Sequence, residues 1–186
     1  MIRFLRGKVF SVGKDSIVLD VGNLGFEIFL DEESIASLNE GDETVVYTYF
    51  CFGDDPKIYG FTDERKRELF IRLISVSKLG PKTALKLVSA GVDRIVSMIK
   101  SEDIDALSTL PGVGKKTAER IIVELKDKMD DFGIETKDVE VFEVAEALKA
   151  LGFSAKEAYS AAKMVKKKSD ISEMIKEALS ILMEKK

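Results

Sequence analysis

The sequence contains no histidine, and its 186 residues include a single cysteine. Without histidine, the chain lacks the usual general base near neutral pH and the commonest side-chain ligand of transition metals. One cysteine excludes an internal disulfide and a cysteine-ligated metal site. Because Cys51 stands in an aromatic, strand-like run, it is predicted to be a buried free thiol. These absences disfavour catalytic triads and zinc sites.

Long apolar segments are also missing. No run of about 18 apolar residues occurs, and Arg3, Arg6 and Lys8 interrupt the apolar residues near the N-terminus. The sequence therefore predicts neither a membrane span nor a signal peptide, and a cytoplasmic location is expected. Hydrophobic residues nevertheless make up 45% of the chain, enough for a globular protein of one large or two to three small domains.

Charge is distributed unevenly along the chain. Residues 1–63 carry 5 Lys and Arg against 12 Asp and Glu, residues 64–128 carry 14 against 9, and residues 129–186 carry 10 against 12. A basic middle between acidic flanks predicts that a polyanion would be bound there, although a solvated helical face has the same composition.

Residues 1–62 have the alternating pattern of β-strands. Apolar and polar residues alternate on both sides of the turn sequence Gly22-Asn23-Leu24-Gly25, which predicts a β-hairpin. A short helix-like piece at 34–38 precedes two β-branched and aromatic runs at 43–52 and 57–61. Five strands with a small helical insertion favour a closed five-stranded barrel of the OB type, with an open sheet as the alternative.

The remainder of the chain has the apolar period of helices. We predict a helical domain at 63–128, a polar linker at 129–139 and three short helices at 140–186. A bundle of under 50 residues without disulfide or metal is only marginally stable. The tail is therefore expected to be a docking module completed by a partner, and the lysine run at 166–168 to be a solvated helix end without a DNA role.

The pattern Gly-x-Lys-Thr-Ala occurs twice, at Gly80 and again 34 residues later at Gly114. The matched stretches 77–88 and 111–122 also share apolar positions. Two copies without an aromatic signature do not make a tetratricopeptide array, so each copy is interpreted as helix, tight turn, helix. The first amides of the second helix have no partner within it, and the helix dipole favours an anion there.

Glycines in each turn let the main chain approach another molecule, and basic side chains follow in the next helical turn. The residues predicted to bind phosphate are Gly80, Lys82, Thr83, Gly112, Gly114, Lys115, Lys116, Thr117 and Arg120. A nucleotide-binding P-loop would need a glycine where Thr109 stands and a serine or threonine in place of Lys116. Two similar sites instead match successive phosphates of a nucleic acid backbone, bound without regard to base identity.

The stretch LPGVGKKTAERI at 110–121 resembles the second helix-hairpin-helix motif of the RuvA family of Holliday junction-binding proteins. The segments MIRFLRGKV, DVGNLGFEI, IYGF and ALKALGF resemble the same family in the same order. The resemblance implies an OB-fold barrel at 1–62, tandem helix-hairpin-helix motifs at 63–128 and a three-helix, UBA-like module at 140–186.

The family resemblance also implies partners. It predicts a homotetramer, with an octamer left open, that binds four-way junction DNA and needs no cofactor or metal. The tail would bind the hexameric ATPase RuvB, and the resolvase RuvC is a further implied partner. Leu148, Leu151 and Phe153 lie in the motif around which the family places its RuvB-binding surface, although their spacing predicts two of them in the bundle core.

Two features of the turns can be interpreted only through the family resemblance. By pattern alone, Gly53-Asp54-Asp55-Pro56 is an ordinary Asp-Pro turn. In RuvA-like proteins, adjacent acids on this loop form an acidic pin at the junction centre, which predicts that role for Asp54 and Asp55. Lys78 departs from the family pattern because it replaces the first glycine of the first hairpin, so the geometry and DNA binding of that hairpin stay open.

Two other functions are compatible with parts of the sequence. The acids Asp54, Asp55, Asp63 and Glu64 could serve a metal-dependent nuclease, and residues 64–66 resemble the Glu-Arg-Lys motif of structure-specific nucleases. That motif needs an aspartate where Phe70 stands, which disfavours a nuclease. A protein-interaction scaffold is the other rival. Salt distinguishes it, because phosphate binding weakens by about 0.9 log units per log unit of salt for each phosphate neutralised.

Overall fold

The computed structural model describes residues 2–53, 55–130, 132, 136–165 and 170–184, with the backbone alone at 136–139 and 184. The strands are β1 (Phe4–Val12), β2 (Ser16–Asp20), β3 (Gly25–Phe29), β4 (Glu43–Cys51) and β5 (Lys57–Phe61). The helices are α1 (Glu32–Ser37), α2 (Glu64–Ile74), α3 (Pro81–Ser89), α4 (Val92–Lys100), α5 (Ile104–Ser108), α6 (Lys115–Leu125), α7 (Thr136–Ala150), α8 (Ala155–Met164) and α9 (Ile171–Glu184), with a 3-10 helix at Lys126–Lys128. None of the helices in these ranges is both long and apolar enough to cross a bilayer.

The five strands form a closed barrel in the order β1-β2-β3-β5-β4, which confirms the prediction of an OB-type barrel. Its interior is filled by alternate residues of the strands, among them Ile17, Leu19 and Ile28. Position 60 must be glycine, because a Cβ there would lie 2.4 Å from the Ile28 side chain and 2.6 Å from that of Val46.

The predicted β2–β3 hairpin is present. Gly22 and Asn23 both have positive φ, 62° and 70°, as a type I′ turn requires. The amide of Val21 donates to the Leu24 carbonyl at 2.9 Å. This turn fixes the register that places Ile17 opposite Ile28 on the inner face of the barrel.

The helical domain shares a core with the barrel. The ring of Phe70 on α2 lies 5.7 Å from that of Tyr49, 5.2 Å from Tyr59 and 5.0 Å from Phe61, measured between centroids. Aromatic packing of this kind stabilises beyond the burial of area alone. Phe70 therefore joins the barrel to the hairpin domain.

Helices α7 to α9 form a small bundle around the buried Val144, Leu148 and Met174. Its second helix begins with the predicted capping box, in which Ser154 and Glu157 exchange hydrogen bonds. The bundle lies against α1 of the barrel, where Lys149 contacts Glu32 at 2.6 Å.

A chain of ion pairs runs from the helical domain through the barrel to the bundle. Glu33 of α1 accepts from Lys66 of α2 at 2.6 Å and from Lys163 of α8 at 3.1 Å, and Lys66 also contacts Asp31 at 3.2 Å. Burial alone would raise the pKa of Glu33, but Lys66 and Lys163 outweigh it and lower that pKa. The carboxylate is therefore charged at neutral pH and connects three parts of the molecule.

The segment predicted as a polar linker is partly anchored. Met129 and Phe132 are buried in the core of the helical domain, and the Arg72 guanidinium lies 4.7 Å from the centroid of the Phe132 ring. Helix α7 begins at Thr136, inside the range assigned to the linker. Two apolar residues among acids form no recognisable period, which is why the sequence pattern gave no sign of this packing.

Candidate nucleic-acid interface

The two copies of the repeat form two helix-turn-helix units whose turns have equivalent backbone conformations. We call α2, the turn at 75–80 and α3 the first hairpin, and α5, the turn at 109–114 and α6 the second hairpin. In the first, the Leu79 amide donates to the Val76 carbonyl at 3.1 Å, and in the second the Val113 amide donates to the Leu110 carbonyl at 3.1 Å. The repeat in the sequence therefore corresponds to a repeat in the structure.

The apolar residues of the repeat occupy equivalent buried positions. Leu79 corresponds to Val113 and Ala84 to Ala118, and all four are buried in one core with the matching pair Leu87 and Ile121. These residues hold each turn against the body of the domain. The polar residues of the repeat are thereby left at the surface.

Lys78 and Gly112 occupy equivalent turn positions and share the left-handed conformation, with φ of 65° and 83°. The replacement of glycine by lysine thus preserves the turn, at a cost of about 1 kcal/mol. Packing at the second turn is also tight, since a Cβ on Gly112 would lie 3.3 Å from Cγ2 of Thr83. The second turn therefore lies against α3 of the first hairpin.

The helices that follow the turns begin without a capping side chain. Their N-cap residues are Gly80 and Gly114, and neither α3 nor α6 has an acid in its first turn. Elsewhere in the described chain, α1, α2, α5 and α8 are capped by Asp31, Asp63, Asp103 and Ser154. A helix start of the first kind leaves its amides and its positive dipole end available to an external anion.

The space in front of these helix starts is open, because an added Cβ on Gly80 or Gly114 would meet nothing within 4 Å. The equivalent Lys82 and Lys116 are exposed. Lys115 is exposed too and makes an ion pair with Asp105 at 3.3 Å, which as a surface pair contributes little stability. The lysines are thus available to phosphate at both sites.

Arg120 has a different environment from the other predicted phosphate-binding residues. Its Nη1 donates to the Ser77 carbonyl of the first hairpin at 2.9 Å. Glu124, one turn further along α6, accepts from the Ser77 amide at 3.4 Å. Glu124 was not among the predicted site residues, since no local pattern relates it to a residue 47 positions earlier.

The predicted acidic pin lies on the β4–β5 connection. Asp55 is exposed and its carboxylate contacts Lys57 Nζ at 2.5 Å, which raises the pKa of Lys57. Asp54 lies outside the described residues. The neighbouring Phe52 is 80% exposed and stacks on Phe50 with ring centroids 6.1 Å apart, a feature that the sequence analysis did not single out.

The three residues predicted to bind a partner occupy different environments. Leu148 is fully buried in the bundle core, so in this arrangement it offers no contact surface. Leu151 is 61% exposed, and Phe153 lines a cleft of about 580 Å³ between α1 and the bundle. Gly152, with φ of 94°, ends α7 and separates the buried from the exposed residues.

Three of the four acids considered for a nuclease, Asp55, Asp63 and Glu64, have structural partners, and Asp54 lies outside the described residues. Asp63 caps α2 by accepting from the Lys66 amide at 2.8 Å, and Glu64 accepts from Arg3 at 3.2 Å. Across the part of the chain that the structure describes, no group of three or more potential metal ligands comes together. Capping and ion pairing account for these three acids.

Nearly the whole chain is similar to proteins of one family. Family profiles described as "RuvA N terminal domain", "SAM-like Helix-hairpin-helix tandem" and "RuvA, C-terminal domain" match residues 1–60, 70–127 and 141–183. Relatives from Thermotoga petrophila and Fervidobacterium nodosum are each 42% identical over 98% of both chains, and one from Thermotoga maritima is 41% identical over the same share. Each bears the name "Holliday junction branch migration complex subunit RuvA".

Proposed function

The chain belongs to the RuvA family, and from this premise we propose that it binds four-way DNA junctions as the DNA-binding subunit of a branch migration complex. One observation carries the proposal: two equivalent helix starts, without caps or first-turn acids, stand side by side with an exposed lysine at each. That arrangement fits two phosphates of a nucleic acid backbone.

The contacts would be independent of base sequence. After Gly114, the backbone amides of Lys115 and Lys116 would donate to phosphate oxygens. After Gly80, only the Lys82 amide would do so, because Pro81 has no amide hydrogen. The side chains of Lys82, Lys115 and Lys116 would add charge. Thr83 and Thr117 are partly buried beside the helix starts, where their hydroxyls are suited to a supporting contact. Phosphate contacts position a duplex and carry no direct sequence information, as a protein that follows a moving junction requires.

The acidic pin would oppose binding at the centre of the junction. In a homotetramer, Asp54 and Asp55 of each subunit would surround the crossover with carboxylates. Like charge beside phosphate weakens affinity but discourages the separated strands from pairing again. Replacing both by asparagine should therefore tighten junction binding, and unchanged or weaker binding would contradict this role.

The chain itself would perform no catalysis. We propose that a separate ATPase, RuvB in this family, supplies the work and is recruited by the C-terminal bundle, with the exposed Leu151 as the first contact to test. Leu151→Asp should abolish recruitment without unfolding the bundle. Leu148→Asp should unfold it, since Leu148 is in the core. We also propose that the protein is cytoplasmic and that RuvC is a further partner.

Competition binding tests the proposed function. Fluorescence anisotropy of a labelled four-way junction is measured against unlabelled junction or linear duplex of equal base-pair content, at two salt concentrations. We expect the junction to compete far better than the duplex and binding to weaken with salt. Equal competition would leave a general duplex binder, and absence of binding at low salt would favour a protein scaffold.

A further inference from the structure

The second hairpin holds the turn of the first hairpin through one peptide. Arg120 and Glu124 lie one turn apart on α6, so their side chains share a face of that helix. The Arg120 guanidinium donates to the Ser77 carbonyl at 2.9 Å, and the Ser77 amide donates to the Glu124 carboxylate at 3.4 Å. Both backbone hydrogen-bonding groups of Ser77 are thus bound by a single helix of the other hairpin.

The first hairpin cannot make the equivalent contact to the turn of the second hairpin. By the 34-residue offset, Arg120 and Glu124 correspond to Lys86 and Ala90, and Ser77 corresponds to Pro111. Alanine has no carboxylate and proline has no amide hydrogen, so the first hairpin lacks the acceptor and the second turn lacks the donor. The asymmetry indicates that only the first turn is held in this way.

The first turn is also the one whose backbone is strained. Lys78, the residue after Ser77, has positive φ, which a lysine adopts at a cost that glycine avoids. A bond from a charged guanidinium to a carbonyl is stronger than a neutral one. The Arg120 contact therefore offsets backbone strain directly beside the phosphate-binding helix start.

We propose that Arg120 and Glu124 form a clamp that fixes the first hairpin's turn relative to the second, so that both helix starts face the same DNA backbone. Arg120 is then a positioning residue for DNA binding and not a phosphate ligand. The inference deepens the proposed function and rests on it wherever DNA binding is the measurement.

The clamp can be tested by comparing the DNA affinities of two variants that each lose one negative charge. Glu124→Ala and Glu119→Ala remove one negative charge each from the same helix, and the Glu119 side chain is exposed. Charge alone predicts tighter DNA binding for both variants. The clamp predicts that Glu124→Ala binds about three- to tenfold more weakly than Glu119→Ala, and that Glu124→Gln, which keeps an acceptor oxygen, behaves like Glu119→Ala. Equal affinities for the two alanine variants would overturn the proposal.

A second measurement needs no DNA. Amide hydrogen exchange by NMR is compared for free wild type, Arg120→Ala and the control Lys116→Ala, which removes the same charge from the same helix. The clamp predicts faster exchange at the hydrogen-bonded Ser77 and Leu79 amides in Arg120→Ala alone, with the amides of α9 unchanged. Unaltered exchange in that turn would refute the clamp. Failure of the wild type to bind any DNA would refute the proposed function instead, and this measurement would still decide on the clamp.

Discussion

The two hairpins have equivalent turns and buried apolar residues at equivalent positions, but their surfaces differ. Their turns share the left-handed residue, at Lys78 and Gly112, and their helices start at glycine. The first helical residue is Pro81 in one hairpin and Lys115 in the other. The second hairpin therefore offers two lysines to a phosphate where the first offers one.

The difference shows which part of the repeat the fold requires. Buried pairs such as Ala84 and Ala118 are the same residue or similar in size, because the core leaves no room for change. Exposed positions differ, and so does the means of holding the turn, by glycine in the second hairpin and by a contact from Arg120 in the first. We infer that the hairpins share one geometry but contribute unequally to DNA affinity.

The largest loss of DNA affinity is expected when both exposed lysines of the second hairpin are neutralised. Lys115→Gln combined with Lys116→Gln should weaken junction binding roughly tenfold or more, because two phosphate contacts are lost. Lys82→Gln in the first hairpin should cost less. The control combines Lys126→Gln with Lys128→Gln beyond the other end of α6 and should stay close to wild type. Anisotropy at fixed salt measures all three, and a larger loss from Lys82→Gln would reverse the proposed ranking.

A smaller effect is expected from the turn of the second hairpin. Gly112→Ala places a Cβ at positive φ and 3.3 Å from the Thr83 side chain. The free energy of unfolding should fall by about 1–2 kcal/mol, as measured by urea denaturation. Lys78→Ala is the matched control at the equivalent position, where a side chain is already accommodated, and it should leave stability nearly unchanged. Equal losses in the two variants would contradict the proposed difference in turn packing.

The smallest effect is expected from making the two turns alike. Lys78→Gly relieves backbone strain in the folded state but adds conformational freedom to the unfolded chain, and these effects oppose each other. The free energy of unfolding should therefore change by less than about 0.5 kcal/mol. A loss of more than about 1 kcal/mol would show that the Lys78 side chain itself stabilises the first turn.

Local patterns predicted much of this structure. The barrel could be predicted because alternation and the Gly22-Asn23 turn specify strands and their connection, and the hairpins because apolar spacing and glycine recur at a fixed offset. The uncapped helix starts could be read from the absence of acids after Gly80 and Gly114. Each of these signals lies within a few residues of the feature that it predicts.

Contacts between distant segments could not be predicted in the same way. The Arg120 contact joins residues 43 positions apart, and the burial of Phe132 depends on Arg72 and the core of another part of the chain. The ambiguity at Leu148 had the same origin, because apolar spacing alone does not distinguish a core residue from a partner-binding one. Such features depend on packing that only the folded chain defines.

The most direct test of two equivalent phosphate sites is a salt titration of junction binding for wild type, Lys82→Gln and Lys116→Gln. The slope of log affinity against log salt should become shallower by about 0.9 in each variant, since each loses one phosphate contact. Lys86→Gln, which removes a lysine from the opposite end of α3, should leave the slope unchanged. A slope that changes in only one of the two hairpins, or in neither, would contradict the account of two equivalent sites.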